Sequence, residues 1–340
     1  MLVPLDEILA ARERLTPYLP PSPVKHAESY SRRLNAEVFL KLELFMPTGA
    51  FKVRGALNAL LLLSQKARDR GVVTASAGNH GLGISYAARQ LGIAARVFLP
   101  DSTPRVRIDT IRALGASAEV GGHDWNEANA RALELVLRDG ATYISPFDDP
   151  AIMAGQGTIA LEILEQVPAA DTILCSIGGG GLISGIASAV RQLRPETHVV
   201  GVETIGADCM WQSLAAGRIV ELPEFTSIAQ SLGTKRSTER QLAIVQEAVT
   251  KVVRVPDEAA FRELLYTLDH EKILAEPAAS CTLAALTEGC LGEPAGRTLV
   301  PVLCGGNITL EHVLGWLERF GPAARTAGAK AAGGYAGAGR

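Results

Sequence analysis

The sequence predicts an α/β fold in which a mostly parallel sheet is covered by helices on both faces. Short apolar runs of strand length alternate with longer runs that have helical periodicity, over most of the 340 residues. Several predicted strands end in glycine-rich or small polar turns that lead directly into a helix. Ligands of such folds bind beyond the carboxyl ends of the strands, so these turns are the candidate functional segments.

Composition excludes several classes of function. Apolar residues make up 47% and charged residues 20%, which is typical of a globular protein with a substantial core. The net charge of −3 and the lack of a basic run argue against nucleic acid as a partner. The five scattered cysteines indicate reduced thiols in a cytoplasmic protein, and residues 1–14 lack the apolar core of a secretion signal. Residues 172–190 are uncharged, but four glycines in their middle argue against a membrane span.

The first half of the chain alternates regularly between the two kinds of segment, after an irregular proline-rich entry at 17–23. We expect strands at 38–43, 72–75, 95–99, 117–120 and 142–145, and helices at 53–67, 81–91, 106–114 and 126–137.

The pattern restarts after Pro146 and continues to the end of the predicted fold. We expect helices at 157–166, 182–193, 258–270, 277–287 and 310–320, and strands at 172–177, 198–202, 252–255 and 298–303. Residues 206–240 look less regular. From Pro322 the chain is rich in alanine and glycine without apolar periodicity, so we expect a disordered tail there.

Lys52 is the residue on which the functional interpretation depends. It follows a turn that contains Pro47 and Gly49, and it precedes an amphipathic run. A lysine at such a junction can lie in a cleft, where desolvation lowers the pKa of its amine and favours attack on carbonyl groups. Taken alone, a solvated lysine in the first turn of a helix is the commoner case.

A run of four glycines, Gly178 to Gly181, joins a predicted strand to a helix that opens near Leu182. Such a turn lets several backbone N–H groups converge on an anion, and the helix N-terminus adds partial positive charge. The turn therefore predicts a phosphate site, without the lysine of a P-loop. A dinucleotide site stays open at this point, because Glu203 ends the next strand at about the distance expected for a ribose ligand.

Two further strand ends carry polar or reactive residues. Ser76-Ala77-Gly78-Asn79-His80 leads into a helix, where Ser76 and Asn79 either cap the helix or face a bound carboxylate. Cys304 ends the last predicted strand and precedes two glycines, so it is either a core cysteine or a thiol delivered into a site.

Together these stretches resemble the fold-type II pyridoxal-phosphate enzymes of the threonine/serine dehydratase and serine racemase group. The matching stretches follow the family's order over about residues 15 to 320: Lys41-Leu42-Glu43, the segment from Pro47 to Ala56, Ser76 to His80, Gly155-Gln156-Gly157-Thr158, Gly178 to Gly181, Glu276-Pro277-Ala278-Ala279, and Cys304 to Asn307. The resemblance implies two open, mostly parallel sheets flanked by helices, as in the β subunit of tryptophan synthase. It also implies a large domain at 1–62 and 148–320, a small inserted domain at 63–147, and a disordered tail at 321–340.

The resemblance also assigns roles to residues. Lys52 would form a Schiff base with pyridoxal 5′-phosphate and take the α-proton of the substrate. The other residues implied to hold the cofactor are Phe51 beside the ring, Asn79 at the ring hydroxyl, Gly178, Gly179, Gly180, Gly181 and Leu182 at the phosphate, and Cys304 at the ring nitrogen. The substrate carboxylate would bind at Ser76, Ala77, Gly78, Asn79 and His80.

The activity implied is α,β-elimination of a β-hydroxy-α-amino acid, threonine or serine first, to a 2-oxo acid and ammonia. Ala77 occupies the place where serine racemases of the group carry a second serine, so we expect little racemisation, although serine racemase is the nearest alternative. Ala229-Gln230-Ser231 replaces the usual Ala-Asp-Gly, which leaves phenylserine or 3-hydroxyaspartate open as substrates. An NAD-binding oxidoreductase built on Gly179 and Glu203 is an alternative of another class, and it leaves Lys52 without a role.

Members of the group also bind a divalent cation, through a glutamate, a backbone carbonyl and a third oxygen ligand. Glu203 and Ala207 match the first two positions, but the third is Cys209, so a divalent or monovalent cation stays open. We expect a homodimer, since symmetric dimers are the commonest oligomers.

Overall fold

Two open sheets form the framework of the protein, which a computed structural model describes over residues 2–332, with side chains described as far as Gly321. The strands of this part of the chain are β1 (Val24–His26), β2 (Glu37–Leu42), β3 (Val72–Ala75), β4 (Ala95–Leu99), β5 (Ser117–Val120), β6 (Thr142–Tyr143), β7 (Thr172–Ser176), β8 (His198–Thr204), β9 (Lys251–Val255) and β10 (Thr298–Leu303). The first sheet has the strand order β1-β2-β10-β7-β8-β9, and the second has the order β5-β4-β3-β6.

Helices flank both sheets. They are α1 (Leu5–Leu15), α2 (Glu28–Leu34), α3 (Lys52–Leu61), α4 (Gln65–Arg70), α5 (Asn79–Leu91), α6 (Arg105–Ala113), α7 (Trp125–Asp139), α8 (Pro150–Gln166), α9 (Gly181–Leu193), α10 (Cys209–Ala216), α11 (Glu239–Ala248), α12 (Asp257–Tyr266), α13 (Pro277–Thr287) and α14 (Leu310–Ala332). In the six-stranded sheet, α9 packs on β7 and β8, and α13 packs on β7 to β10; in the four-stranded sheet, α5 and α7 both pack on β3 and β4.

Strand pairing confirms the predicted fold class. Only the pair of β1 and β2 is antiparallel among the described strands, and the others are parallel. Every residue of β3 and β7 is buried. A parallel sheet is covered on both faces, which is why these strands are continuous apolar runs and not alternating ones.

Helix α3 connects the two sheets, because it packs against α5 on one side and α8 on the other. Glycines let the backbones come into contact. A Cβ atom added to Gly155 of α8 would lie 2.7 Å from the Cα atom of Gly55, and one added to Gly83 of α5 would lie 3.1 Å from the carbonyl carbon of Lys52. A side chain at Gly155 would collide with α3, and one at Gly83 would require α3 to shift by a few tenths of an ångström, so the helix that begins at Lys52 is closely packed.

A buried cluster of charges fixes α3 to β2 and α8. The Arg54 guanidinium donates to Glu43 Oε2 at 2.8 Å and to Glu162 Oε1 at 2.6 Å, and Lys41 Nζ donates to Glu162 Oε2 at 2.5 Å. All four residues are buried, with Lys41 and Glu43 at 0% exposure. Since two cations face two carboxylates, no charge in the cluster is left unpaired.

Several element boundaries differ from the predicted ones. The predicted helix at 53–67 is divided between α3 and α4, because Ser64 caps α4 by accepting a hydrogen bond from Ala67 N at 3.3 Å. The irregular segment predicted at 206–240 contains α10, and the proline-rich entry is preceded by α1.

The last helix, α14, extends to Ala332 and not to the predicted end at Phe320. Alanine is the strongest helix former, which favours helix over the disorder expected from Pro322 onward. Residues 333–340 of the predicted tail lie outside the described residues. Within the described part of the chain, no helix combines the length and the apolar character needed to cross a bilayer.

Candidate active site

Lys52 is the first residue of α3, and its amine lies between the two sheets. Nζ donates to the carbonyl of Pro146 at 2.7 Å and lies 5.1 Å from the centre of the Phe51 ring. Burial lowers the pKa of this amine to about 8, against the opposing effects of Cys304 and Glu276. Near neutral pH a fraction of the amine is therefore unprotonated and able to act as a nucleophile or a base.

The turn before Lys52 is attached to the segment that follows β10. Phe51 N donates to the carbonyl of Cys304 at 3.0 Å, and Ala50 forms a bridge with Gly305. Gly49 has a φ of +70°, and a Cβ atom there would lie 2.7 Å from Asn307 Oδ1. These contacts bring Lys52 and Cys304 to the same end of the six-stranded sheet.

The glycine turn offers unused donors. The N–H groups of Gly178, Gly179 and Gly180 find no acceptor in the part of the chain that the structure describes. A Cβ atom on Gly179 would lie 2.3 Å from the Phe147 ring, so a larger residue would displace the turn. The turn leads into α9 at Gly181, where the free N–H groups of the first helical turn, including that of Leu182, add to the positive end of the helix dipole. This arrangement suits a phosphate group.

Asn79 is part of a buried polar network. Its Nδ2 donates to Glu276 Oε1 at 3.0 Å, and its Oδ1 accepts from Asn307 Nδ2 at 2.8 Å. The other Glu276 oxygen accepts from Asn307 N at 3.3 Å. These bonds fix the orientation of the Asn79 amide. Burial raises the pKa of Glu276, while hydrogen bonds from Ser231 and Asn79 act in the opposite direction.

His80 is buried and neutral. Its Nε2 lies 3.2 Å from the carbonyl of Ile144, so this nitrogen carries the proton. Its Nδ1 is an acceptor without a partner among the described residues. Burial and the charge of Lys52 lower the pKa of the ring to about 3. Gly78 N already bonds to Ser76 Oγ at 3.2 Å, so the donors that this loop can offer to a carboxylate are the Ser76 hydroxyl and the backbone N–H groups of Ala77, Asn79 and His80.

Cys304 is a protonated thiol. Its Sγ accepts a hydrogen bond from Ser176 Oγ at 3.4 Å and lies 3.5 Å from the carbonyl of Ala278. Only 2% of the residue is exposed, and burial raises the pKa of the thiol well above its usual range. The end of β10 thus presents a neutral sulfur to the space near Lys52.

The side chains around Glu203, where the sequence left a cation site open, already have partners among the described residues. Both carboxylate oxygens of Glu203 already accept hydrogen bonds, from Met210 N at 3.1 Å and Trp211 N at 2.7 Å. Asp208 pairs with Arg254 at 2.8 Å. Burial raises the pKa of the Cys209 thiol to about 12, so it does not act as a ligand for a hard cation. No group of three acidic, histidine or cysteine side chains in the described part is arranged around a metal position.

The structure brings together most of the residues singled out in the sequence, and it adds contacts from residues to which the sequence had given no role. The added residues are Pro146, Ser176, Glu276 and Asn307. Glu276 carried a usable signal, because it is an acid directly before an apolar helix. The sequence offered no such signal for Pro146, which acts through its backbone carbonyl, or for Ser176, which acts through its hydroxyl.

Comparisons of the sequence and of the structure with known proteins agree with one another. A family model described as "Pyridoxal-phosphate dependent enzyme" matches residues 15–305. An L-threonine ammonia-lyase of Geobacter sulfurreducens is 38% identical, over 94% of this chain and 79% of the relative. The processed form of threonine deaminase isoform 2 from Solanum lycopersicum superimposes with a TM-score of 0.90 at 33% identity, covering 94% of this chain and 87% of that one. Maize serine racemase superimposes with a TM-score of 0.88 at 30% identity, covering 94% and 98%.

Proposed function

Because this chain belongs to the pyridoxal-phosphate dependent enzyme family, we propose that it is an ammonia-lyase acting on a β-hydroxy-α-amino acid of the threonine or serine type. The observation that supports this proposal most strongly is the environment of the Lys52 amine. The amine lies at the same sheet end as Cys304, and burial lowers its pKa to about 8. The relatives named as threonine ammonia-lyase and threonine deaminase support the same reaction class.

The residues present fit pyridoxal phosphate. The unused N–H groups of Gly178 to Gly180 suit its phosphate, and the Asn79 amide suits its ring hydroxyl. Phe51, whose ring lies 5.1 Å from Lys52 Nζ, would hold the aromatic ring, and the neutral thiol of Cys304 would suit the ring nitrogen. When bound, the cofactor supplies an electron sink that weakens the bond between the α-carbon of an amino acid and its proton.

Lys52 accepts the α-proton of the substrate. Its lowered pKa places the amine near the pH at which it both takes and returns a proton. The carbonyl of Pro146 at 2.7 Å holds the amine in place. Loss of the α-proton and departure of the β-hydroxyl as water leave an enamine, which hydrolyses to a 2-oxo acid and ammonia.

The neutral state of Cys304 favours elimination over reactions that need a long-lived carbanion. A carboxylate at the ring nitrogen would keep a proton there and strengthen the electron sink, whereas a protonated thiol leaves the sink weaker. A short-lived carbanion suits rapid loss of a β-leaving group.

Serine racemase is the second candidate, since maize serine racemase has the same fold at 30% identity. Ala77 has no group that could deliver a proton from the second face, which favours the lyase. The comparisons give no support to an NAD-binding oxidoreductase, and both oxygens of Glu203 are occupied by α10.

The test is a panel of β-hydroxy amino acids assayed for release of 2-oxo acid by the holoenzyme, with chiral analysis of the recovered substrate. Release of 2-oxo acid with retained configuration supports the lyase. Rapid loss of configuration without 2-oxo acid would favour the racemase.

We further propose a cytoplasmic homodimer in which residues 63–147 form the small domain. The five cysteines, none of them in a disulfide, support a reducing compartment. Light scattering on the purified protein measures the oligomeric state directly.

A further inference from the structure

Arg107 reaches from the helix layer of one sheet to the strand-end loop of the other. It lies on α6, beside the four-stranded sheet, and its Nη2 donates to the carbonyl of Asn307 at 3.0 Å. The Asn307 side chain in turn donates to Asn79 Oδ1 at 2.8 Å. The guanidinium is therefore separated from the proposed cofactor ligand Asn79 by a single residue.

The Arg107 guanidinium is partly desolvated, and no carboxylate of the described residues contacts it directly. Burial lowers the pKa of the guanidinium, and the negative charge of Glu276 opposes this shift. Arg107 forms no ion pair with a described residue, and its bond to Asn307 leaves most of its N–H donors unused. Glu276 attracts Arg107 electrostatically but does not contact it directly, and its carboxylate accepts hydrogen bonds from Asn79, Ser231 and the Asn307 backbone. A partly buried cation that no carboxylate contacts directly is stabilised when a ligand supplies one.

The amine of Lys52 is influenced by the same carboxylate as Arg107. Glu276 raises the pKa of Lys52 as well as that of Arg107, so both cations lie within the electrostatic reach of one carboxylate. The α-carboxylate of a substrate has its own donors in the first turn of α5, at Asn79 and His80. Arg107 is thus left over for a second anionic group on the same substrate.

We propose that Arg107 binds a second carboxylate of the substrate, and that the preferred substrates are acidic β-hydroxy amino acids such as 3-hydroxyaspartate. This inference rests on the proposed lyase function and narrows it to one substrate class. An arginine fork binds a carboxylate through two parallel hydrogen bonds, which gives orientation as well as charge recognition. With 3-hydroxyaspartate, water leaves in the elimination and is taken up again on hydrolysis, so the products are oxaloacetate and ammonia.

The test compares kcat/KM for 3-hydroxyaspartate and threonine in the holoenzyme. We expect the wild type to prefer the acidic substrate, and Arg107→Met to lower the ratio of the two values about 100-fold through loss of a desolvated charge pair. Arg107→Lys keeps the charge without the fork and should lower the ratio about 10-fold. The matched control is Arg105→Met on the same helix, whose side chain is 80% exposed and pairs with Asp109, and which should leave the ratio unchanged.

A binding measurement keeps the test valid if Arg107→Met does not fold. L-aspartate and L-2-aminobutyrate lack a β-hydroxyl and are not dehydrated, so their affinities follow from the absorbance change of the bound cofactor. Wild-type protein should bind aspartate at least about tenfold more tightly than aminobutyrate.

Four results would contradict the inference or the lyase function. Equal affinities for the two ligands, or a substrate ratio that does not respond to Arg107→Met, would overturn the inference. If threonine or serine releases a 2-oxo acid and 3-hydroxyaspartate does not, the inference fails while the lyase function stands. If no β-hydroxy amino acid releases a 2-oxo acid, the lyase function and the inference fail together.

Discussion

The amide of Asn79 donates to the carboxylate of Glu276 at 3.0 Å, across 197 positions of sequence. This bond joins the first turn of α5, beside the four-stranded sheet, to the start of α13, which packs on the six-stranded sheet. Because Asn307 uses the other end of the Asn79 amide, the side chain has a single orientation in which Nδ2 is the donor. Glu276 therefore acts as a positioning residue for the proposed cofactor ligand.

Replacing Glu276 tests that relationship. Both oxygens of Glu276 accept hydrogen bonds, from Asn79 and from the Asn307 backbone. Glu276→Gln replaces one of these oxygens by an NH2 group, so two donors face each other. A buried donor without an acceptor costs about 1–3 kcal/mol of free energy. We expect the affinity of the apoprotein for pyridoxal phosphate to fall about tenfold. Titration by absorbance measures this affinity. Glu288→Gln is a suitable control, since Glu288 is exposed and pairs only with Arg262. An unchanged affinity in Glu276→Gln would show that Glu276 does not position Asn79 for cofactor binding.

The buried charge cluster predicts a large effect on stability. Arg54→Met leaves Glu43 and Glu162 buried with Lys41 as their only remaining cation, and we expect a loss of about 3–5 kcal/mol in the free energy of unfolding. Urea denaturation measures the loss. Arg32→Met removes an exposed arginine and should change stability by less than about 0.5 kcal/mol. A similar small change for Arg54→Met would mean that the cluster does not hold α3.

Features with a local sequence signature could be predicted, whereas features that depend on contacts between distant parts of the chain could not. Lys52, Gly178 to Gly181 and Cys304 could be singled out because strand-end turns have local signatures, and the fold class followed from apolar periodicity. The sequence assigned no role to Glu276 or Arg107, because the roles proposed for them depend on contacts made only in the folded chain. Helix α10 was missed because its eight residues are too short for a clear periodic pattern.

The pH dependence of cofactor capture reports on the burial of Lys52. Protonated amine is not a nucleophile, so the rate at which apoprotein captures pyridoxal phosphate should rise with pH and level off above about pH 8. An exposed lysine would give a midpoint near its ordinary pKa of 10.5. His80 stays neutral throughout this range, since its pKa is about 3 and lies far below it. Stopped-flow absorbance gives the rates, and a midpoint near 10.5 would contradict the desolvation of the amine.

We predict that the stereochemical outcome depends on Ala77, a partly exposed residue of the loop between β3 and α5. Ala77→Ser adds a hydroxyl that can exchange a proton with the substrate, and we expect racemisation to increase relative to elimination. Chiral chromatography of serine recovered after partial reaction measures it. Ala118→Ser, on β5, adds the same hydroxyl elsewhere in the four-stranded sheet. Equal racemisation in Ala77→Ser and the wild type would show that another group controls the second face.

The central claim is that Lys52 carries the cofactor. The most direct measurement is borohydride reduction of the yellow holoenzyme, followed by proteolysis and mass spectrometry of the labelled peptide. The account predicts a single pyridoxyl label on Lys52, and no label in Lys52→Ala, which should still bind the cofactor reversibly but have no lyase activity. A label on another lysine, or a colourless protein that stays inactive with added pyridoxal phosphate, would contradict it.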